Sequence, residues 1–342
     1  MEINITDPTE VNFYRHNFFN TWILTFLNDD RDLVFIHLCL KIIFTIIPYA
    51  IILFIFPTLN WLFYVGYLIL LLVVFLGPYM LMLHNVCHRK LFKKKYSILN
   101  KVIPSLIGLF FGQTPETYFY HHVTMHHPEN NEEDDLSSTM SYQRDSIAGF
   151  LYYLFSFYVT GVANLVLYFT HKKRNKFALR IVLGEMVFII LSVCLCFFNF
   201  KAALTIFILP LVFIRFAMMA GNWAQHAFID PDNPGNVYRN SITCINSIYN
   251  KKCFNDGYHI GHHLRPYLHW TEMPLDFQTN MPLYQQQNAI IFSGLDYFQI
   301  WFYLMTKNYK KLTAHFVKIQ DWKDDAEIIH FLKTRTRKIS IL

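Results

Sequence analysis

An uncharged stretch of 42 residues, at positions 42–83, is the feature that most limits how this chain can fold. As one helix, rising about 1.5 Å per residue, it would be roughly 63 Å long, about twice the thickness of a bilayer's hydrocarbon core. The chain must therefore turn, and proline and asparagine within residues 56–60 (Phe-Pro-Thr-Leu-Asn) favour a turn there. The stretch predicts a hairpin of two membrane-spanning helices.

A second apolar hairpin is predicted at about residues 179–221, with its turn at residues 198–201. Each half is about 20 residues long, which is a spanning length. Glu185 and Arg215 interrupt these helices. A charge at that depth is costly unless it is paired or faces the protein interior, and we expect Arg215 to face the interior.

A third apolar segment, at residues 147–170, is also long enough to cross a bilayer. If it crossed, the basic loop at residues 171–176 would lie on the outer side, against the usual preference for basic loops in the cytosol. Three spans would then also separate the second and third of the histidine motifs described below, so that these two motifs would face opposite sides of the membrane. We therefore interpret this segment as an interfacial or re-entrant helix, which leaves four spans with both termini in the cytosol.

The remaining composition excludes several classes of protein. A net charge of +6 could suggest a nucleic-acid partner, but basic residues cluster beside apolar runs, at residues 88–95 and 171–176, as expected of cytosolic loops facing lipid head groups. The six cysteines show neither CxxC spacing nor the pattern of a disulfide framework. The first 33 residues are rich in acidic side chains, so we expect no cleavable signal peptide.

These patterns predict an all-α integral membrane protein with four transmembrane helices in two hairpins and a cytosolic helical cap. The cap would hold a histidine-rich site for two metal ions. We divide the chain into a cytosolic N-terminal segment (1–33), a membrane domain (34–275) and a cytosolic or interfacial C-terminal segment (276–342). Within the last segment, residues 289–305 are expected to form a cytosolic or interfacial helix.

Most of the chemistry is expected from histidine, of which the chain has sixteen. Four short motifs lie just beyond the cytosolic ends of the predicted spans, and their spacings of three and four residues place imidazoles on one helical face. The nine candidate metal ligands are His84, His88, His122, His126, His127, His226, His259, His262 and His263. One zinc ion takes only three or four ligands, so nine imidazoles fit two ions of four- to five-fold coordination. Imidazole binds iron, zinc, copper and nickel, and the ligand type leaves the metal open.

The motifs resemble the histidine boxes of the membrane fatty acid desaturase superfamily, over about residues 33–274. Residues 259–266 (His-Ile-Gly-His-His-Leu-Arg-Pro) resemble its terminal HxxHH box. Asn222 and His226 resemble an asparagine and an extra histidine of acyl-CoA desaturases, in which the asparagine reaches a metal through water. The spacing from His122 to the His126–His127 pair is longer than in those desaturases and resembles alkane hydroxylases. That leaves His121 as an alternative ligand to His122.

The resemblance implies two iron ions and dioxygen as co-substrate, acting on a long-chain lipid or acyl group. It implies an electron donor such as cytochrome b5 or a ferredoxin-like protein, and an endoplasmic reticulum location with the active site facing the cytosol. The favoured reaction is fatty acyl desaturation. A hydroxylase with the same metal centre, a zinc-dependent membrane hydrolase and a non-enzymatic metal carrier or sensor stay open as alternatives.

Other polar residues are expected to support the metal ligands, because ligating histidines usually donate their second ring nitrogen to a carboxylate or carbonyl. The carboxylate candidates are Glu129, Asp134, Asp135, Asp230, Asp256 and Glu272, and His121 and His269 are further candidates for such a supporting role. Arg144, Lys251 and Lys252 are candidates for holding an acidic lipid head group.

Overall fold

A computed structural model describes residues 3–11 and 17–339, and most of these are helical. Five helices are long and apolar enough to cross a membrane, which indicates an integral membrane protein. They are α1 (Asp30–Ile55), α2 (Trp61–His88), α3 (Ile147–His171), α4 (Asn175–Phe198) and α5 (Phe200–Gln225).

The first predicted hairpin is present as α1 and α2. Helix α1 ends at Ile55, and α2 begins at Trp61 after a turn in which the Asn60 side chain accepts a hydrogen bond from the Leu62 amide at 3.0 Å. Helix α2 changes to a π-helical turn at Leu70–Phe75 before it continues to His88. The turn therefore lies where proline and asparagine predicted it.

The second hairpin consists of α4 and α5, and its turn is shorter than predicted. Asn199 alone separates the two helices. Its side chain accepts a hydrogen bond from the Ala202 amide at 3.2 Å and donates to the Leu53 carbonyl at 3.1 Å. One capping asparagine thus replaces the expected four-residue turn and ties it to the end of α1.

The two charges within this hairpin are paired. Nη2 of Arg215 lies 3.6 Å from Oε2 of Glu185, and both side chains are largely buried. Glu185 also accepts hydrogen bonds from the hydroxyls of Thr114 and Thr117. Because these groups replace water around the two charges, Arg215 faces the protein interior as predicted.

Helix α3 runs without interruption for 25 residues. By length and composition it qualifies as a fifth span, beside the four that were predicted. Its interfacial placement depends on which side of the membrane residues 171–176 lie, and stays a prediction.

Shorter helices connect and follow the long ones. Two are used repeatedly below, α6 (His259–Leu264) and α7 (Tyr297–Met305). The others are Phe18–Leu24, Lys94–Lys101, Ile103–Ile107, Gly108–Phe110, Thr117–His121, His122–His126, His127–Glu129, Val237–Asn240, Ile248–Lys252, Met273–Thr279, Met281–Gln286, Tyr309–Ala314 and Asp325–Arg335.

A small sheet corrects the expectation of a purely helical fold. Strands β1 (Ile242–Ile245) and β2 (Ile290–Ser293) pair in parallel, with Ile242 opposite Ile290. The expectation of one helix over residues 289–305 was therefore wrong, because its first part is β2 and α7 begins only after Asp296. A short apolar run that is buried as a strand has no alternating pattern to distinguish it from a buried helix.

The chain forms two compact units. The first combines the N-terminal segment up to Glu10, residues 123–164 and the chain from Ala217 onward. The second comprises Val11–His122 and Leu165–Phe216. The boundary within the second histidine motif falls between His122 and Val123.

Candidate metal centre

The second histidine motif lies on a helical segment with an irregular centre. An α-helix at Thr117–His121 passes into a π-helical turn at His122–His126 and then into a short helix at His127–Glu129. A π turn contains more residues than an α turn and changes which side chains share a face, and such turns are frequent at functional sites.

The second unit brings three histidines together, which we call the histidine triad: His84, His88 and His122. Their ring nitrogens lie within 4.8 Å of one another, and Nε2 of His122 is 3.1 Å from Nε2 of His88. His84 and His88 are one turn apart at the end of α2, and Tyr118 stacks on the His122 ring. Of the two candidates His121 and His122, the structure therefore places His122 beside the first motif.

The first unit assembles four more, which we call the histidine tetrad: His126, His226, His259 and His263. Their ring nitrogens also lie within 4.8 Å of one another, and Nε2 of His226 is 3.1 Å from Nε2 of His259. His126 comes from the π turn and His226 directly follows α5. His259 and His263 lie one turn apart on α6.

The first unit also pairs the remaining two histidines. Nε2 of His127 lies 3.0 Å from Nε2 of His262. His127 is adjacent in the chain to His126 of the tetrad, and His262 is adjacent to His263. Each of the two consecutive histidines of the HxxxHH motif thus lies close to one of the two consecutive histidines of the HxxHH motif.

Hydrogen bonds fix the proton position on two rings of the tetrad. Nδ1 of His126 lies 2.7 Å from Oδ2 of Asp135, and Nδ1 of His226 donates to the Asn240 carbonyl at 2.9 Å. A neutral imidazole that carries its proton on Nδ1 has a free lone pair on Nε2. Both rings therefore present Nε2 as a ligand atom, as metal-binding histidines commonly do.

The Asp135 carboxylate is held as an anion by its surroundings. Burial by itself would raise the pKa of Asp135, but His126 and the donors of Ser137 outweigh burial and hold this pKa well below its usual range. Ser137 donates through both its amide and its hydroxyl, at 2.8 and 2.7 Å. Of the six carboxylates considered from the sequence, Asp135 contacts a tetrad histidine directly.

Two of the tetrad imidazoles, His226 and His263, are kept neutral. Burial, reinforced by neighbouring His126, lowers the pKa of His226 to about 3. Burial and the neighbouring histidines also lower the pKa of His263 far below its ordinary value. Only a neutral imidazole can bind a metal ion, so this environment favours ligation at physiological pH.

The donor set fits metal ions. Two nitrogens bound to one ion at about 2.1 Å, with angles of roughly 90–110°, lie about 3.0–3.4 Å apart. Three Nε2 pairs in the two units have separations of 3.0–3.1 Å. Within the described part of the chain, Nε2 of His263 is buried and has no hydrogen-bond partner. An ion would satisfy that nitrogen, which is otherwise costly to bury.

The other predicted site residues have varied surroundings. Asn222 donates its amide to the Ser137 carbonyl at 2.9 Å and to the Tyr153 hydroxyl at 2.8 Å. Asp256 accepts a hydrogen bond from Tyr249, and buried His269 has Nδ1 2.7 Å from the Thr271 hydroxyl.

Asp230 is engaged by two arginines, Arg239 at 3.2 Å and Arg335 at 2.9 Å. Glu129 is half-buried two residues after His127, and His121 is half-buried next to His122. The roles of these residues in the site stay predictions.

Arg144 cannot hold a lipid head group, and that expectation was wrong. Its side chain is fully buried. The guanidinium donates to six backbone carbonyls, those of Thr139, Met140, Tyr142, Ala227, Arg335 and Arg337. It joins the loop before α3, the residues after α5 and the C-terminal helix, which is a structural role.

Sequence reasoning missed the support that the N-terminal segment gives to α6. Oδ2 of Asp7 accepts hydrogen bonds from the Tyr258 hydroxyl at 2.7 Å, the Asn246 amide at 2.7 Å and the Asn250 side chain at 3.1 Å. Tyr258 directly precedes His259 of the tetrad. The two residues are about 250 positions apart in the sequence, and no local sequence pattern indicates the contact.

Comparison with known proteins identifies the family. A family model described as "Fatty acid desaturase" matches residues 59–295, which is more than half of the chain and includes all nine candidate ligands. The chain therefore belongs to the fatty acid desaturase family. No curated protein and no solved structure matches it significantly.

Proposed function

We propose that this protein is a membrane di-iron oxidoreductase that introduces a double bond into a long-chain lipid or acyl group. It would use dioxygen and electrons from a partner such as cytochrome b5 or a ferredoxin-like protein. The observation that carries the proposal is the assembly of all four histidine motifs into close-packed clusters in a chain of the desaturase family.

The proposed ligand set divides the nine histidines between two iron ions. The histidine tetrad would hold one ion, and the remaining five histidines are the candidate ligands of the other. Nitrogen ligands in this number, without cysteine, suit two ions of four- to five-fold coordination. Bound iron would activate dioxygen, the oxidant, so that it can attack an unactivated C–H bond, which no protein side chain can do.

The chain's own residues set the geometry of that site. Asp135 keeps the proton of His126 on Nδ1, and the Asn240 carbonyl does the same for His226. The burial of His126, His226 and His259 excludes water from this part of the site. We further propose that Asn222 contributes through a water molecule, as the family resemblance implies.

Hydroxylation is the second candidate function. It is favoured by the HxxxHH spacing, which the structure accommodates as the π turn His122–His126. Both reactions begin with removal of hydrogen from carbon. They differ in whether a second hydrogen is lost or oxygen is returned to the carbon.

Product analysis tests the proposal. The purified protein, reconstituted with lipid substrate, reductant and an electron donor, should give an alkene by mass spectrometry only when dioxygen is present. An alcohol would favour the hydroxylase. Product formed without dioxygen, with cleavage of an amide or ester, would exclude both and favour a zinc hydrolase. His263→Ala should abolish turnover, whereas His171→Ala, at an exposed histidine, should not.

The subcellular location is proposed from the class of enzyme alone. We place the protein in the endoplasmic reticulum with the metal centre facing the cytosol, where soluble or membrane-anchored electron donors reach it. Basic residues at positions 89–95 and 171–176 would lie on that side.

A further inference from the structure

A basic cavity in the first unit lies outside the residues assigned to the metal site. Its volume is about 360 Å³, within the range of small-ligand pockets. It is lined by Gln143, Asp145, Lys307, Tyr309, Lys333 and Arg337. We propose that this cavity binds the phosphate group of an anionic membrane lipid.

The charge of the cavity favours an anion. Lys307, Lys333 and Arg337 are exposed at its rim, while the single carboxylate, Asp145, is buried. Asp145 already accepts hydrogen bonds at both oxygens, from the Tyr309 hydroxyl at 2.8 Å and from the Gln143 side chain. The cavity is therefore lined by three cations and one carboxylate, and both oxygens of that carboxylate already accept hydrogen bonds.

The arrangement of donors suits a phosphate. Arginine can bind phosphate oxygens through two parallel N–H groups, and lysine contributes a compact charge. Lys333 lies with Nζ 5.3 Å from the centre of the Tyr309 ring, which holds its ammonium group beside the buried tyrosine.

The surroundings of the cavity identify the source of the phosphate as lipid. Gln143 and Asp145 lie just before α3, whose first turns expose Ile147, Leu151 and Phe155, each more than half accessible. An exposed apolar helix face of this kind is covered by lipid when the helix lies in a membrane. The cavity therefore lies next to the first membrane-contacting turns of α3, where head groups are found.

Helix α7 extends the same apolar surface. Its Trp301 packs on Phe150 of α3 with ring centres 5.1 Å apart, and Phe298 and Phe302 are exposed one turn from each other. Lys307 follows the end of α7 by two residues. Aromatic side chains at the level of the head groups, flanked by basic residues, are typical of an interfacial helix.

The test uses the full-length protein in a neutral detergent. Thermal unfolding would be measured while phosphatidic acid, phosphatidylcholine or inorganic phosphate is titrated. We expect phosphatidic acid to raise the melting temperature saturably, and the other two to have little effect at the same concentrations. In the triple variant K307Q/K333Q/R337Q the apparent affinity for phosphatidic acid should fall roughly tenfold or more.

The matched control removes three other exposed lysines of the first unit that do not line the cavity, as K311Q/K318Q/K323Q, and should retain the wild-type affinity. An equal loss in both triple variants would show diffuse charge attraction and overturn the proposal. Equal stabilisation by inorganic phosphate would overturn the lipid assignment, and the absence of any effect of phosphatidic acid would overturn the site. If the triple variant does not fold, Arg337→Gln decides, with a severalfold loss expected and no loss contradicting the proposal.

Discussion

At the scale of single residues, the candidate metal centre depends on groups that orient the histidines. Asp135 is buried and contacts Nδ1 of His126, whereas Glu132, Glu133 and Asp134 beside it are exposed. The left-handed backbone of Asn130 and Asn131 turns the chain before this acidic run, and the turn determines which carboxylate points inward. Local backbone geometry thus selects the carboxylate that contacts His126.

Asp135→Asn should weaken metal binding. The amide cannot supply the negative charge that stabilises the Nδ1 proton of His126, and loss of such an outer partner typically costs about 10- to 100-fold in metal affinity. Iron per chain would be measured after equilibration with a graded iron chelator. Glu133→Gln is the matched control at an exposed neighbouring carboxylate that was not proposed for the site, and an equal loss in both variants would contradict the assigned role.

The histidine motifs were predictable at this scale, and their partners were not. Spacings of three and four residues identify shared helical faces, which is why His84 with His88 and His259 with His263 could be paired from the sequence. The choice between His121 and His122 required the position of α2, and the role of Asp135 required the turn before it. The prediction that Arg144 binds a lipid head group was wrong because the sequence pattern does not reveal that this basic residue is buried.

At the scale of elements, long apolar helices define the fold and short polar contacts fix it. Hydropathy and the turn residues predicted where α1 ends and α2 begins, and the bounds of α4 and α5 to within about four residues, because a bilayer sets the length of a spanning helix. The start of α1 was not predicted, because this helix begins at Asp30, well before the uncharged stretch. The π turns, the sheet of β1 and β2, and the N-terminal contact of Asp7 depend on tertiary packing. They left no comparable signal in the sequence.

Removing one partner of the ion pair between α4 and α5 should strongly destabilise the protein. Glu185→Gln leaves Arg215 as an uncompensated charge in an apolar setting, and we expect a loss of roughly 3–5 kcal/mol in the free energy of unfolding. Thermal unfolding in detergent checks this. The double variant E185Q/R215M should recover part of the loss, and Arg180→Gln, at an exposed residue of the same helix, should leave the melting temperature nearly unchanged. Equal effects of Glu185→Gln and Arg180→Gln would show that burial does not matter.

The contact of Asp7 with Tyr258 should hold α6 in place. In Asp7→Asn the charge that accepts three hydrogen bonds is lost, at a cost of about 1.5–3 kcal/mol for each charged hydrogen bond that is not replaced. We expect a lower melting temperature together with reduced iron content, because His259 follows Tyr258. Glu10→Gln, at an exposed carboxylate of the same segment, is the control. Retention of full iron content in Asp7→Asn would limit that residue to a role remote from the metal site.

At the scale of the whole molecule, the proposed metal centre constrains the topology. Motifs that serve one centre must lie on the same side of the membrane, so an even number of crossings must separate them. Helix α3 is long enough to cross, yet a crossing there would place the second and third motifs on opposite sides. The predicted interfacial placement of α3 follows from this requirement, whereas helix length alone favours five spans.

Site-directed labelling tests the topology. Single cysteines at Lys94 and Lys173, in a background without the native cysteines, should react with a membrane-impermeant reagent from the same, cytosolic side of sealed vesicles. Reaction of the two positions from opposite sides would establish α3 as a span. A cysteine at Asn60, in the turn between α1 and α2, should react only from the other side and serves as the internal reference.

The metal content of the purified protein tests the proposed di-iron centre most directly. Iron and zinc would be measured per chain by elemental analysis for the wild type, His263→Ala and His171→Ala. We predict about two irons per chain in the wild type and in His171→Ala, and a sharp loss in His263→Ala. A single zinc per chain, or a metal content that His263→Ala leaves unchanged, would contradict the di-iron centre.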